Sequence, residues 1–478
     1  MIKKILFFSV IAVFMFSGFL SCNQNRAPRK GVILEKRELV LTIGASEKLE
    51  YILTPEAEGQ TLVWVSSDPN IVRVSEDGVV TAVNFSTGGS MAYASIFGTG
   101  QANVTVSTEN GKFKDTIKIA ATTQGQVNIL SLPPIKDQFS SYFIMGNIYN
   151  PADASPAEIV TEHLIYHYSM LTPENNMKPS YLAPDPNSYN FQTADRMVNA
   201  ALASGLKVHG HTLLWHSQNS AWIKRVPDRY NKDQALVVMK KYITDVVTHF
   251  KGRIYSWDVL NEVFPDGVSS RGDWRQVMRK ENPWYAAIGA DFVYEGFLAA
   301  RLADPNVILY YNDYNTDQAP KAAMIRDMVR DVNERYRREY PNANRLLIEG
   351  IGMQEHHNTG VTASSIRATI NLFRPLGVKI SVAELDVLGQ SWSTFRDIGA
   401  GIDKHGTSTV TNEGLMDQAR LYGEYMKLYM ENADIIERVS LWGVTDDKSW
   451  RSGGLPLLFD SQGRAKPAYY SFVGALDN

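Results

Sequence analysis

Eight short apolar runs, most of them followed by a helix-length stretch, fill the C-terminal part of this 478-residue chain, and their alternation restricts the fold more than any other feature. The runs are Phe143 to Tyr149, Ser169 to Thr172, Lys207 to Trp215, Tyr255 to Glu262, Val307 to Asp313, Ile348 to Gln354, Lys379 to Val387 and Val439 to Thr445. Strands separated by helices pair in parallel, and eight such units over residues 135–478 predict an α/β architecture, a (β/α)8 TIM barrel. In that architecture chemistry sits at the carboxyl ends of the strands, so the polar residues are expected there.

They fall there. Thr172-Pro173-Glu174-Asn175-Asn176-Met177-Lys178 ends the second run, Gly210-His211-Thr212-Leu213-Leu214-Trp215-His216 the third and Trp257-Asp258-Val259-Leu260-Asn261-Glu262 the fourth. Asn312-Asp313-Tyr314-Asn315, Gln354-Glu355-His356-His357, Glu384-Leu385-Asp386 and Trp442-Gly443-Val444-Thr445-Asp446 end the fifth to the eighth. Carboxylates, amides, imidazoles and Trp gathered at one mouth are costly to bury and are better explained by a binding site than by packing. The chemistry suited to the set is glycosidic cleavage, which needs a proton for the leaving oxygen and a carboxylate for the oxocarbenium-like centre. Glu262 and Glu384, ending the fourth and seventh runs, can face each other across an eight-stranded barrel. A separation of about 5 to 5.5 Å between them implies double displacement with retention.

These seven segments, in this order from about Leu132 to the C-terminus, resemble glycoside hydrolase family 10, whose typical members are endo-β-1,4-xylanases cutting internal bonds of xylan. The resemblance implies Glu262 as acid/base and Glu384 as nucleophile of a retaining reaction. His356 is then expected to hydrogen-bond Glu384, Asp386 to orient that imidazole, and Asn261 to hold the 2-hydroxyl of the sugar at the cleavage point, with Gln354 near the same sugar. Glu174, Asn175, Lys178, His211, Trp215 and Gln218 match positions that read the glycone xylose hydroxyls. Trp442 and Trp450 match the aromatic walls around those sugars, and Tyr314 lies on the aglycone side. The resemblance implies no cofactor and no metal.

Blander readings bound this one. His211 and His216 are five residues apart on a strand and its loop, which is not a helical metal-ligand face. His357 reads as a satisfied loop histidine. Glu355 departs from the small residue usual between the Gln and the His; it either narrows the cleft, contacts a substituent or points to solvent. Trp222, Trp274 and Trp284 fit distal sugar platforms or core packing equally well. Two alternatives stand beside the xylanase reading: a non-catalytic glycan-binding lipoprotein, against which the intact carboxylate pair argues, and a β-glycanase acting on glucan or decorated xylan.

Ahead of the barrel the pattern is all-β. Alternating segments at 39–43, 62–65, 71–74, 103–106 and 116–119, with turn formers Asp77-Gly78 and Asn110-Gly111 between them, predict a small β-sandwich over residues 34–123. Trp64-Val65-Ser66-Ser67-Asp68, Val74 and Gly78-Val79-Val80-Thr81-Ala82 resemble a bacterial immunoglobulin-like module; the resemblance implies a spacer or a weak interaction module, with Trp64 as a core residue. Residues 124–134, with Pro133-Pro134, read as a linker.

Lys3 and Lys4 precede an apolar run from Ile5 to Leu20 that ends at Leu20-Ser21-Cys22, too short for an ordinary membrane span. It resembles a bacterial lipoprotein signal, with Phe19 where a Leu is usual three residues before the cysteine. The resemblance implies export, lipid on Cys22, a tether over residues 23–33, and an outer-membrane lipoprotein on the cell-surface or periplasmic face. That lipid is the expected membrane contact. A net charge of −3, from 48 basic and 51 acidic residues mixed along the chain, offers no field for phosphate backbones, so nucleic acid is not an expected partner. A xylan or xylo-oligosaccharide substrate is, and the catalytic domain is expected to act as a monomer.

Overall fold

The computed structural model describes residues 30–42, 45–83, 99–122, 128–151, 161–268, 272–399 and 410–477. The signal segment, Cys22 and most of the tether therefore lie outside the described residues, as does 123–127 at the start of the linker.

The N-terminal part is a β-sandwich. One sheet orders Glu38–Thr42, Lys114–Thr122, Thr99–Thr108 and Leu62–Ser66; a three-stranded sheet joins Ser46–Lys48, Val79–Ala82 and Val72–Val74. Alternate residues of the two longest strands point inward, Ala102, Val104 and Val106 from one and Ile117, Ile119 and Ala121 from the other, which is the period of two that a pleated strand imposes. Trp64 packs half-buried against this core, edge-on to Tyr51 at 5.8 Å. The first strand, Val32–Leu34, begins inside the stretch read as tether because Val32 is buried in the same core.

The linker's second half also belongs to a folded unit. Ile129 is fully buried in the barrel core, and its carbonyl lies 2.7 Å from His167 Nε2.

Eight parallel strands follow: β1 (Ile144–Tyr149), β2 (Met170–Pro173), β3 (Lys207–Leu214), β4 (Ser256–Asn261), β5 (Ile308–Asp313), β6 (Gly350–Met353), β7 (Lys379–Val387) and β8 (Ile436–Leu441). Each pairs with the next, and β8 pairs with β1 to close the ring. Every residue of β4 is buried, as expected of a strand covered on both faces. The surrounding helices are amphipathic. Lys232–His249, opened by a capping box from Asn231 and Gln234, buries Ala235, Met239, Tyr242, Ile243, Val246 and Val247. Trp222, Trp274 and Trp284 are buried in this helical layer, which removes them as sugar platforms.

Seven of the eight strands end within one residue of the expected position, and the eighth ends four residues early. The eighth strand starts at Ile436 and stops at Leu441, so Trp442 to Thr445 form the loop beyond it, where Gly443 takes a φ of 141°, and Asp446 opens a short 3-10 helix. The sixth stops at Met353 because Glu355 turns left-handed (φ 61°); His356–His357 then resumes pairing with β7. Met416 and Tyr470, from the two C-terminal helices, pack against the sandwich core and join the two units.

Candidate active site

Fourteen of the fifteen residues expected at the site line one cleft of about 830 Å³ at the carboxyl ends of the strands, and the fifteenth, Asp386, lies buried beneath it. Both candidate catalytic carboxylates are presented by backbone. Glu262, one residue past β4, has a φ of 56°, and its amide donates to the carbonyl of Asn312 on β5 at 2.9 Å. Glu384 stands within β7, 4% exposed, its amide bonded to the Gln354 carbonyl at 3.0 Å. Non-glycine residues at positive φ recur around the cleft, at Gln218, Glu262, Asn315 and Glu355, where strain is retained because surrounding contacts overdetermine it.

The two carboxylates have different surroundings. Glu262 accepts from Trp215 Nε1 and Gln354 Nε2, both at 2.9 Å and both neutral donors. Glu384 accepts from Asn312 Nδ2 at 2.7 Å and faces His356 Nε2 at 3.0 Å. The other ring nitrogen of His356 lies 2.8 Å from Asp386. Burial alone pulls His356 down, but the Asp386 charge and the bonds to Asp386 and Glu384 reverse this and raise it to about 9. His356 is thus an imidazolium at neutral pH, facing an acceptor. Asp386, which burial pushes up, is held low overall by Arg451 and His356; it also accepts from Trp450 Nε1 at 3.1 Å.

The amide of Asn261 lies within hydrogen-bonding distance of Asn312 (3.0 Å), Gln354 (3.2 Å) and Glu262 (3.3 Å), and so stands between the pair. Asn312 reaches Glu384 past Gly352, where a Cβ would sit 2.3 Å from its side-chain oxygen.

On one flank Lys178 Nζ donates to Asn175 (2.9 Å) and Gln218 (2.7 Å) and stands 5.0 Å from the centroid of the Trp215 ring. Burial draws the Lys178 ammonium down and pushes the Glu174 carboxyl up, each resisted by the opposite charges around it. His211 bonds Asp258 at 2.9 Å and meets Trp442 edge-on at 5.4 Å. His216, drawn down to about 4 by burial and Arg279, is a neutral ring in the same wall. On the other flank Arg279 bridges the Glu262 carbonyl, at 3.0 Å, and the Tyr314 hydroxyl, at 2.5 Å. Lys321 stands 3.6 Å from the centroid of the Tyr314 ring.

Several cleft residues were not singled out from sequence. Arg279 and Arg451 are among them, the latter adjacent to Trp450, and Asn312, inside a recognised strand end, is buried against Glu384 without lining the cleft. Trp392, 52% exposed, lines the same cleft with Arg451 packed against it. Glu355 neither narrows the cleft nor meets solvent: it is 1% exposed and turned inward, because its left-handed backbone directs the side chain toward His357 and Tyr429. His357 is correspondingly buried and bonded, on the short strand after β6 rather than on a loop.

Comparison with known proteins places this cleft in a family. The glycosyl hydrolase family 10 model matches residues 134–475, and the bacterial Ig-like domain (group 2) model matches residues 29–130. The crystal structure of a bacterial Ig-like domain containing family 10 xylanase from termite gut is 55% identical, with a TM-score of 0.81, covering 92% of this chain and 98% of that one. An endo-1,4-beta-xylanase of Geobacillus stearothermophilus is 33% identical over 353 residues, 72% of this chain and 98% of that protein. Exoglucanase XynX of Acetivibrio thermocellus is 33% identical over 370 residues, 75% of this chain but 31% of that protein. The chain spans about a third of the length of the first such curated relatives. With more than half of its length matched, the chain belongs to glycosyl hydrolase family 10 and carries a bacterial Ig-like domain ahead of its barrel.

Proposed function

We propose that the protein is a retaining endo-β-1,4-xylanase, with Glu262 as acid/base and Glu384 as nucleophile. The observation that carries this reading is the unequal setting of the two carboxylates: Glu384 faces a cationic ring, whereas Glu262 receives only neutral donors. An anion stabilised by His356 is suited to attack the anomeric carbon. The group without a cationic partner is suited to carry the proton to the leaving oxygen and later to take one from water.

Family membership supports xylan as substrate, as do relatives whose names describe xylanases. In this reading Asn261 and Gln354 hold the sugar at the cleavage point. Glu174, Asn175, Lys178, His211, Trp215 and Gln218 read the glycone hydroxyls, Trp442 and Trp450 flank those rings, and Tyr314 serves the aglycone. The reaction draws on protein groups alone, in a monomeric catalytic domain.

One relative named an exoglucanase favours β-glucan as the second substrate to try. The test is release of reducing sugar from unbranched xylan and from β-glucan. Xylan cleavage with internal chain scission supports the proposal; cleavage of glucan alone replaces it.

We also propose that the chain is exported as an outer-membrane lipoprotein bearing lipid on Cys22. Labelled fatty acid should enter the wild-type protein in cells and be absent from Cys22→Ala; unchanged labelling would remove the anchor.

A further inference from the structure

Glu355 stands between two residues that touch the proposed catalytic pair. Gln354 donates to Glu262 at 2.9 Å, and His356 faces Glu384 at 3.0 Å. The same backbone carries the neighbouring strand: the Gln354 carbonyl accepts from the Glu384 amide at 3.0 Å and the Glu355 carbonyl from the Asp386 amide at 3.3 Å. A shift of this short turn therefore moves Gln354 and His356 together.

Two features of the turn call for explanation. Glu355 has a φ of 61°, a conformation that side chains other than glycine rarely hold. Its carboxylate is fully buried outside the cleft, where such a group is costly unless its acceptors are filled. They are filled. His357 Nε2 lies 2.7 Å from Oε2, the Tyr429 hydroxyl donates to the same oxygen at 2.8 Å, and Thr316 Oγ1 approaches the other at 3.4 Å. Tyr429 is wholly buried on the helix Asn412–Glu431, outside the strand ring, and is not among the residues lining the cleft. The contacts thus tie the turn to the helical layer behind it.

We propose that Glu355 is a positioning residue whose buried carboxylate, anchored by Tyr429, His357 and Thr316, fixes the turn that aims Gln354 at Glu262 and His356 at Glu384. The inference rests on the reading of those two carboxylates as the catalytic pair. It makes the contact with Tyr429 a determinant of turnover although neither residue touches substrate. A Gln in place of Glu355 can still accept from Tyr429 and His357 with its oxygen and donate to Thr316 with its nitrogen, so the anchor survives that change.

The test compares wild-type protein with Glu355→Gly, Glu355→Gln and Tyr429→Phe on xylohexaose and on an aryl xylobioside. Glycine accepts the left-handed backbone without strain but removes the anchor, which separates the two explanations of this position. We expect kcat on xylohexaose to fall about 10- to 100-fold for Glu355→Gly, with KM changed less than about 3-fold, because a displacement near 1 Å at the reacting groups costs that much. Tyr429→Phe should fall in the same direction, and Glu355→Gln should restore most of the rate. A Glu355→Gly protein as active as wild type would overturn the proposal, as would a Tyr429→Phe loss confined to thermal stability. Wild-type inactivity on both substrates would instead overturn the reading of the pair itself.

Discussion

Asp386 holds His356 by its Nδ1 at 2.8 Å, and Nε2, the other nitrogen of that ring, meets Glu384 at 3.0 Å. A buried carboxylate thereby sets the charge of the group that faces a second one. Arg451 balances Asp386 from below, so anion and cation alternate along the chain Arg451, Asp386, His356, Glu384.

That arrangement fixes a sign for the pH dependence of stability. His356 is raised in the folded protein to about 9, above the ordinary histidine value of 6.5, so its contribution is complete below pH 6.5 and is lost as pH rises through 9. The shift corresponds to about 3 kcal/mol. The unfolding free energy of wild type relative to His356→Gln should therefore shrink by an amount of that order between pH 6 and pH 10, measured by urea denaturation. A difference that stays constant with pH would contradict a protonated His356.

Removing Arg451 tests the same chain from its cationic end. Both partners of the Arg451–Asp386 pair are buried, with side chains 3% and 0% exposed, so screening by water is slight. Arg451→Met leaves Asp386 with His356 and Trp450 alone and should cost about 3–5 kcal/mol of stability, the usual penalty for stranding one member of a buried pair. Urea unfolding followed by circular dichroism measures it; a loss below about 1 kcal/mol would mean that Asp386 is satisfied without the guanidinium.

The role proposed for Glu262 predicts a dependence on the leaving group. Glu262→Ala should slow hydrolysis of xylan by about 100-fold or more, the range of general acid catalysis, yet leave glycosylation by aryl xylosides with acidic phenols nearly intact. Pre-steady-state release of the phenol reports the second quantity. Equal losses on both substrates would assign the proton donor to another residue.

The barrel was legible because its strands are covered on both faces and so read as continuous apolar runs, and because each run ends in polar residues that packing does not demand. β7 occupies the span expected of it, Lys379–Val387. What the sequence hid depends on long-range contacts. The left-handed turn at Glu355 is stabilised from Tyr429, 74 residues later, and nothing local to Gln354-Glu355-His356 announces it. Nothing local to Arg451 announces its buried pairing with Asp386, 65 residues earlier. Asn312 lay inside a recognised strand end, but its reach to Glu384 depends on Gly352 of the neighbouring strand. The distal Trp residues were ambiguous for the opposite reason: large aromatics serve cores and sugar surfaces alike, and only burial separates Trp222, Trp274 and Trp284 from the exposed Trp392.

The central claim is that Glu384 attacks the sugar and Glu262 serves the leaving oxygen, which fixes the stereochemistry of the product. Proton NMR of the anomeric signals, recorded as protein lacking residues 1–22 digests unbranched xylo-oligosaccharides beside its Glu384→Ala variant, measures it directly. The account predicts that the β-anomer forms first and mutarotates later, with no product from the variant. Initial α-anomer, or undiminished cleavage by Glu384→Ala, would contradict it.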